Sequence, residues 1–392
     1  MKCFKKLKLL LVGAGGYGRF YLEALARPEI LEKVEFLGVV EPFLNRETEE
    51  KLKQRNLPVF EDMKSAYKAL GQIDLTCIVT PLPFHLEHIR TALAHGSHVL
   101  CEKPAAPVME QLEPMIELEK NTGKCLAIGF QWSFAPAMLR CKKDILSGLY
   151  GNPVSAKALV LWPRPESYFK RGSGWGGKRA AENGTIINDS VASNATAHYL
   201  HNLYFMLGES MKQAAIPTKM QVSVARANKI ENYDTVCIKA TMKRKVELLY
   251  LASHAVDKTQ NPLIEYRFEN AAIRYDCETN HLTAYFNDGS VKKYGIVEAD
   301  VHTKLEAVID GIRNGNYEST VCCTPSTCKP HVWTVDQIYR NDRIFSFPQQ
   351  KLRFYHPEDM QAKGVFVDGL WEACQSAYEK NEFLDFEKQF NA

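Results

Sequence analysis

Long apolar runs are missing from this chain. No segment approaches the roughly 18 uninterrupted apolar residues of a membrane-spanning helix, so a membrane is not an expected partner. The opening residues, MKCFKKLKLLLVGAGG, set lysines before an apolar stretch, but only Leu9–Val12 stand together before glycine begins. That stretch is too short for the apolar core of a secretory signal and reads as a buried first strand. CxxC pairs are also missing, although the chain has eleven cysteines. Cys322, Cys323 and Cys328 form the only cluster, and no histidine pair at zinc-finger spacing accompanies them, so no metal is expected. An odd, scattered set of cysteines suits reduced thiols in a cytoplasmic protein. Charge of one sign is not concentrated anywhere. Lys and Arg number 49 against 46 Asp and Glu, and the net charge of +3 gives no footprint for nucleic acid. Internal repeats and low-complexity segments are absent too.

What is present is ordinary globular material: 392 residues, 45% hydrophobic and 24% charged, enough for two domains that need no staples. The first 130 residues alternate strand-like and helix-like patterns. Leu9–Val12, Val34–Val40, Leu75–Val79, Val99–Leu100 and Leu126–Phe130 read as strands. The apolar spacing of Leu86, Ile89 and Leu93 reads as a helix between two of them. Strands separated by helices imply right-handed crossovers and a parallel sheet. From residue 131 the pattern changes. Helices are expected over Pro136–Leu149, roughly Asn194–Leu207, His302–Asn314 and Asp359–Glu379, with a strand at Val154–Leu161. Period-two alternation from Gln221 to Tyr294, with a hairpin signal at Asn287-Asp288-Gly289, predicts at least five strands of a mostly antiparallel sheet with one open face. Asn341–His356 has no clear pattern and reads as an arm or extended linker.

Gly13-Ala14-Gly15-Gly16-Tyr17-Gly18 fits G-x-G-x-x-G directly after a strand and at the start of a helix. Gly13 permits the tight turn, Gly15 lets the backbone approach a pyrophosphate, and Gly18 lets helix and strand pack closely. The helix N-terminus offers free N–H groups to phosphate. Glu41 ends the second strand, 23 residues after Gly18. A carboxylate there accepts both ribose hydroxyls and repels the extra phosphate of NADP, so NAD is favoured, with Arg46 a partial compensation. The fold class is therefore α/β: a Rossmann dinucleotide-binding domain over residues 1–130, then an α+β domain over 131–392.

Three further motifs carry a family resemblance. Thr80-Pro81 with His85, then Glu102-Lys103-Pro104 after a strand, then Asn194-Ala-Thr-Ala-His198-Tyr-Leu-His201 with Gly208 beyond, resemble the Gfo/Idh/MocA oxidoreductases over about residues 7–320. The resemblance implies a sugar, inositol or sugar-acid dehydrogenase, often homo-oligomeric, with a small polyhydroxylated substrate. It assigns Tyr17, Thr80, Pro81, His85, Glu102 and Lys103 to the cofactor side. Lys103 is the lysine that reaches both the nicotinamide ribose and a substrate hydroxyl, and His198 belongs to the proton relay. An aspartate is usual where Asn194 stands. Chemistry agrees: oxidising an alcohol releases a proton that a near-neutral histidine accepts, while an ammonium steadies the developing alkoxide. Residues four apart on a helix address one ligand, with His201 one turn further.

Departures matter as well. Asn194 cannot stabilise an imidazolium as aspartate does, and Asp189, five residues earlier, is a candidate for the missing charge. Ser133 stands where relatives carry a basic residue, and the chain beyond about residue 330 is longer than the resemblance leads one to expect. The loop from Trp162 to Arg179 holds Trp162, Arg164, Tyr168, Trp175, Lys178 and Arg179. Its aromatic faces suit a sugar and its arginines a carboxylate. Trp162, Arg164, Trp175, Arg179 and His201 are the expected substrate ligands. Two alternatives stand beside the dehydrogenase: an enzyme that retains NAD for elimination or glycosidic cleavage without net redox change, and an inactive cofactor-binding regulator.

Overall fold

The computed structural model describes residues 5–170, 174–341, 343–355 and 363–391. The chain forms two compact units, and each is built from non-contiguous segments.

The first unit comprises Met1–Ala135 and Ala299–Cys328. Its six strands are β1 (Leu7–Val12), β2 (Val34–Val40), β3 (Val59–Phe60), β4 (Leu75–Ile78), β5 (His98–Cys101) and β6 (Leu126–Ile128). They pair in parallel in the order β3-β2-β1-β4-β5-β6. Leu9, Leu10 and Leu11 are fully buried, as parallel strands covered on both faces require. The chain reverses its direction of strand addition at β1, which lies between β2 and β4. Such switch points in a doubly wound sheet are where dinucleotides bind. A boundary at 130/131 had been expected, with everything beyond in one second domain. Instead the helix Val301–Arg313 belongs to the first unit, and the Ile128 N–H donates to the Cys323 carbonyl at 2.9 Å.

The second unit comprises Pro136–Glu298 and Lys329–Ala392. Its strands are β7 (Pro153–Leu161), β8 (Pro217–Arg226), β9 (Thr235–Met242), β10 (Glu247–Ser253), β11 (Gln260–Phe268), β12 (Ala271–Asp276), β13 (His281–Phe286), β14 (Val291–Ile296) and β15 (Phe345–Ser346). Their order is β14-β13-β12-β11-β7-β10-β9-β8-β15. The sheet is mixed, because β7 runs parallel to β10 and β15 parallel to β8. The hairpin expected at Asn287-Asp288-Gly289 joins β13 to β14, with Gly289 at φ +86°. On one face the helix Ala197–Met206 packs, and the Tyr266 hydroxyl donates to Asn202 Oδ1 at 2.5 Å.

The other face was expected to be open, and over β7 to β10 it is not. Leu159, Leu161, Ala225, Cys237, Leu249 and Leu251 pack there with Phe347, Leu370, Cys374, Phe386 and Phe390 from the C-terminal continuation. That continuation also holds a two-stranded ribbon, β16 (Leu352–Tyr355) and β17 (Gly364–Val367), across the stretch that showed no pattern. The helix expected over Asp359–Glu379 is Leu370–Lys380, because β17 occupies Gly364–Val367; the first four residues of that expectation lie outside the described residues.

Candidate active site

The glycine loop is as tight as its sequence demands. At Gly13, φ is +94° and an added Cβ would come within 2.8 Å of the Val79 backbone. At Gly18 an added Cβ would come within 2.3 Å of the Gly13 carbonyl. The Gly13 N–H donates to Val40 and the Gly18 N–H to Gly15, which closes the loop onto β2. Glu41 leaves β2 beside this loop. Its Oε2 accepts the Ala14 and Gly15 N–H groups at 3.0 and 3.1 Å, and its Oε1 accepts Phe43 N–H. Two backbone donors at a helix start that hold a carboxylate oxygen are equally suited to a phosphate oxygen, and an added Cβ at Gly16 would meet open space. The loop therefore fits a dinucleotide. Arg46, expected near the ribose, pairs instead with Glu50 one turn on.

Thr80, Pro81 and His85 follow β4. The His85 ring is buried, with Nε2 2.9 Å from the Thr80 carbonyl and Nδ1 3.1 Å from the Pro104 carbonyl. Burial, only partly opposed by those carbonyls, lowers its pKa. His85 thus braces the loop after β4 against the Glu102-Lys103-Pro104 turn, and both ring nitrogens are committed to backbone. Thr80 Oγ1 lies 3.0 Å from His88 Nδ1.

Glu102 is a buried, paired carboxylate. It is 5% exposed and takes the Tyr21 hydroxyl at 2.7 Å, the Lys304 ammonium and the Lys103 N–H. Lys304 is fully buried, and its Nζ also lies 5.2 Å from the Tyr17 ring centroid. A buried charge needs a partner, and Glu102 and Lys304 supply each other's. Lys103 itself is half-buried next to this pair. Lys304 and Tyr21 were missed in the sequence. A signal existed: Val301, Lys304, Leu305 and Val308 follow the i, i+3, i+4, i+7 spacing of a buried helix face, with a lysine at a core position. Tyr17 is partly exposed and its hydroxyl donates to Gln131 Oε1 at 3.3 Å.

In the second unit the expected single helix is divided. A π turn spans Val191–Ala195, Thr196 forms the junction, and the α-helix begins at Ala197. Asn194 lies in the π turn and His198 in the first α turn. Such π turns widen a helix locally and are frequent at functional sites. Asn194 Nδ2 donates to Asp189 Oδ1 at 2.8 Å, and Asp189 Oδ2 accepts the Gly177 N–H. Asp189 therefore brings a carboxylate to Asn194, the position where the resemblance calls for a charge.

Two expected substrate ligands are placed elsewhere. His201 is fully buried, its ring stacked 6.0 Å from Phe205. Desolvation holds its pKa well below the usual value, with the charges of His331 and Lys142 acting in the same direction. Arg179 donates to the Tyr339 carbonyl at 2.5 Å and stacks 4.5 Å from that ring, so it ties its loop to the helix Pro325–Arg340. Trp162 and Arg164 do lie together, beside Tyr168 and His254, while half-buried Trp175 accepts the Lys178 N–H through its carbonyl.

A model of an oxidoreductase family with an NAD-binding Rossmann fold, Gfo/Idh/MocA, matches residues 7–130. That match covers under half of the chain and falls on the strands and glycine loop of the first unit. Among curated proteins, the chain is 28% identical over 147 residues to the rhizopine catabolism protein MocA of Rhizobium meliloti, covering 38% of this chain and 44% of that one. It is 32% identical over 109 residues to D-glucoside 3-dehydrogenase of Escherichia coli (strain K12), covering 28% and 31%. The match thus spans less than half the length of these relatives. Among solved structures, the WlbA dehydrogenase from Bordetella pertussis, in complex with NADH and UDP-GlcNAcA, superposes with a TM-score of 0.68. At 20% identity over 86% of this chain and 97% of that one, it shows a shared fold.

Proposed function

We propose that this protein is an NAD-dependent dehydrogenase that moves a hydride between nicotinamide and a CH–OH group of a sugar, inositol or sugar acid. The observation that carries the reading is the Gly13–Gly18 cradle with Glu41 against its donors. When bound, NAD supplies the hydride acceptor. Glu41 turns from Ala14 and Gly15 to the ribose hydroxyls, and its charge favours NAD over NADP. Lys103 holds the substrate oxygen and steadies negative charge on it. His198 takes the hydroxyl proton, and Asp189, through Asn194, supplies the negative field that the relay needs. Thr80, Pro81, His85 and Glu102 shape the cofactor side, while Trp162, Arg164 and Trp175 contact substrate. His201 and Arg179 are left to the scaffold. A homo-oligomer in the cytoplasm completes the reading; no disulfide joins the ten described cysteines, as a reducing compartment favours.

The test is absorbance at 340 nm with NAD or NADP and a panel of sugars, inositols and sugar acids. Reduction of NAD by one substrate class supports the proposal. No reduction anywhere by protein that binds NADH overturns it in favour of a retained cofactor or a regulator.

A further inference from the structure

Arg164 sits in an aromatic box. Its Cζ lies 4.9 Å from the Tyr168 ring centroid and 5.6 Å from that of Trp162. Its backbone N–H donates to His254, whose Nδ1 lies 2.9 Å from the Trp162 carbonyl, and the Tyr168 ring meets the His254 ring edge-on at 5.5 Å. These contacts fix the guanidinium between rings and supply no anion. Arg164 Nε is buried and meets no hydrogen-bond acceptor among the described residues. No described carboxylate forms an ion pair with it.

A second buried polar atom lies near it without a partner. The Tyr355 hydroxyl finds no hydrogen bond among the described residues. Its ring is held by β17: Tyr355 pairs with Gly364, where an added Cβ would come within 2.3 Å of the ring. Gly364 also bridges to Pro165, and the Glu166 N–H donates to the Lys363 carbonyl, so β17 is stitched to the residues just after Arg164. Burial raises the Tyr355 pKa, and the Arg164 charge acts against that rise, which marks the two groups as neighbours. The C-terminal continuation thus brings a hydroxyl to a guanidinium that has no counter-ion among the described residues.

We propose that Arg164 and Tyr355 form an anion subsite that takes the carboxylate of a sugar acid. The planar guanidinium fork matches a carboxylate edge, the hydroxyl is a further donor, and the flanking rings keep water away from the pair. A phosphate dianion would leave one charge unmatched by this single cation. Trp162 connects the subsite to the relay: its ring meets Tyr199, the neighbour of His198, edge-on at 5.7 Å, and its Nε1 donates to Asn261 at 3.2 Å. The sugar acid as substrate rests on the dehydrogenase reading, but carboxylate binding does not.

Calorimetric titration of the full chain, with and without NADH, tests the subsite. The probes are D-glucuronate, D-galacturonate, D-glucose and D-glucose 6-phosphate. The uronates are expected to bind about tenfold or more tighter than glucose. Arg164→Gln weakens them by roughly 10- to 100-fold and leaves glucose unchanged, as loss of a charge-assisted pair requires. Tyr355→Phe, a change that keeps the ring, weakens uronates by about three- to tenfold and stands as the test if Arg164→Gln misfolds by circular dichroism. Equal affinity for acid and neutral sugar, equal losses on both, or an Arg164-dependent preference for the phosphate overturns the subsite. Turnover at 340 nm, read in parallel, separates the two ideas. Uronate binding without turnover sinks only the dehydrogenase, and turnover of uronates that is indifferent to Arg164→Gln sinks only the subsite.

Discussion

Replacing Lys304 by methionine removes the counter-ion of Glu102 and keeps most of the packing volume. The carboxylate then remains buried at 5% exposure, with only the Tyr21 hydroxyl and the Lys103 N–H to satisfy it. Breaking one side of a buried ion pair costs about 3–5 kcal/mol. The two remaining hydrogen bonds, each contributing about 1 kcal/mol, put the expected loss near the lower end, ~3 kcal/mol. The double variant Lys304→Met with Glu102→Gln removes both charges and is expected to recover ~2 kcal/mol of that loss, because no bare charge is left. Hydrogen exchange at the β1 and β4 amides reads the opening of the first unit separately from the second. A single-variant loss below about 1 kcal/mol, or a double variant whose losses simply add, would refute the argument that each charge is there to neutralise the other.

Three further outcomes follow from the geometry. Lys103→Met is expected to lower turnover by about 10²-fold or more while NADH fluorescence titration shows nearly unchanged binding, since the lysine acts on the developing alkoxide. Glu41→Ser removes the carboxylate that faces the glycine loop and should raise the ratio of NADP to NAD efficiency about tenfold, ~1.4 kcal/mol; an unchanged ratio would remove Glu41 from cofactor choice. His201 stays neutral when folded because burial depresses its pKa, whereas the unfolded chain takes up that proton below about pH 6.5. Its contribution to stability is therefore absent at pH 8 and turns unfavourable as pH falls through the unfolded value, by up to ~1.4 kcal/mol per pH unit. Urea midpoints between pH 7.5 and 5 should fall less steeply for His201→Gln than for the natural chain.

Period and punctuation carried much of this fold. Leu9–Val12, the glycines after it and Asn287-Asp288-Gly289 each state a local geometry, and the structure has each where its residues demand it. The two-residue β3 is too short to show a period. The return of Val301–Arg313 to the first unit is invisible locally, because an amphipathic helix specifies that it has a buried face and not which sheet buries it. Within the candidate site, the glycine loop and the Glu102-Lys103 turn were legible because backbone constraint is written in glycine and proline. The pairing of Glu102 was not legible because its partner lies 202 residues away. His201 was read as a ligand because it lies one turn beyond His198, and only tertiary packing shows that this part of the helix is buried. Tyr355 fell in a stretch without pattern because a four-residue strand pairing with a distant partner has too few positions to alternate.

The discontinuity of the first unit has a consequence for synthesis on the ribosome. When β1 to β6 have emerged, Glu102 already has Tyr21 beside it, but the lysine that neutralises it, 202 residues further along the chain than Glu102, is still to be made. Until Lys304 appears, the half-built unit carries an unmatched carboxylate, which holds the nascent domain loose. Eight strands of the nine-stranded sheet, β7 to β14, are translated in that interval, between the two parts of the first unit. Translation order thus puts those eight strands in hand while the nucleotide-binding unit still waits for the charge that matches its buried acid.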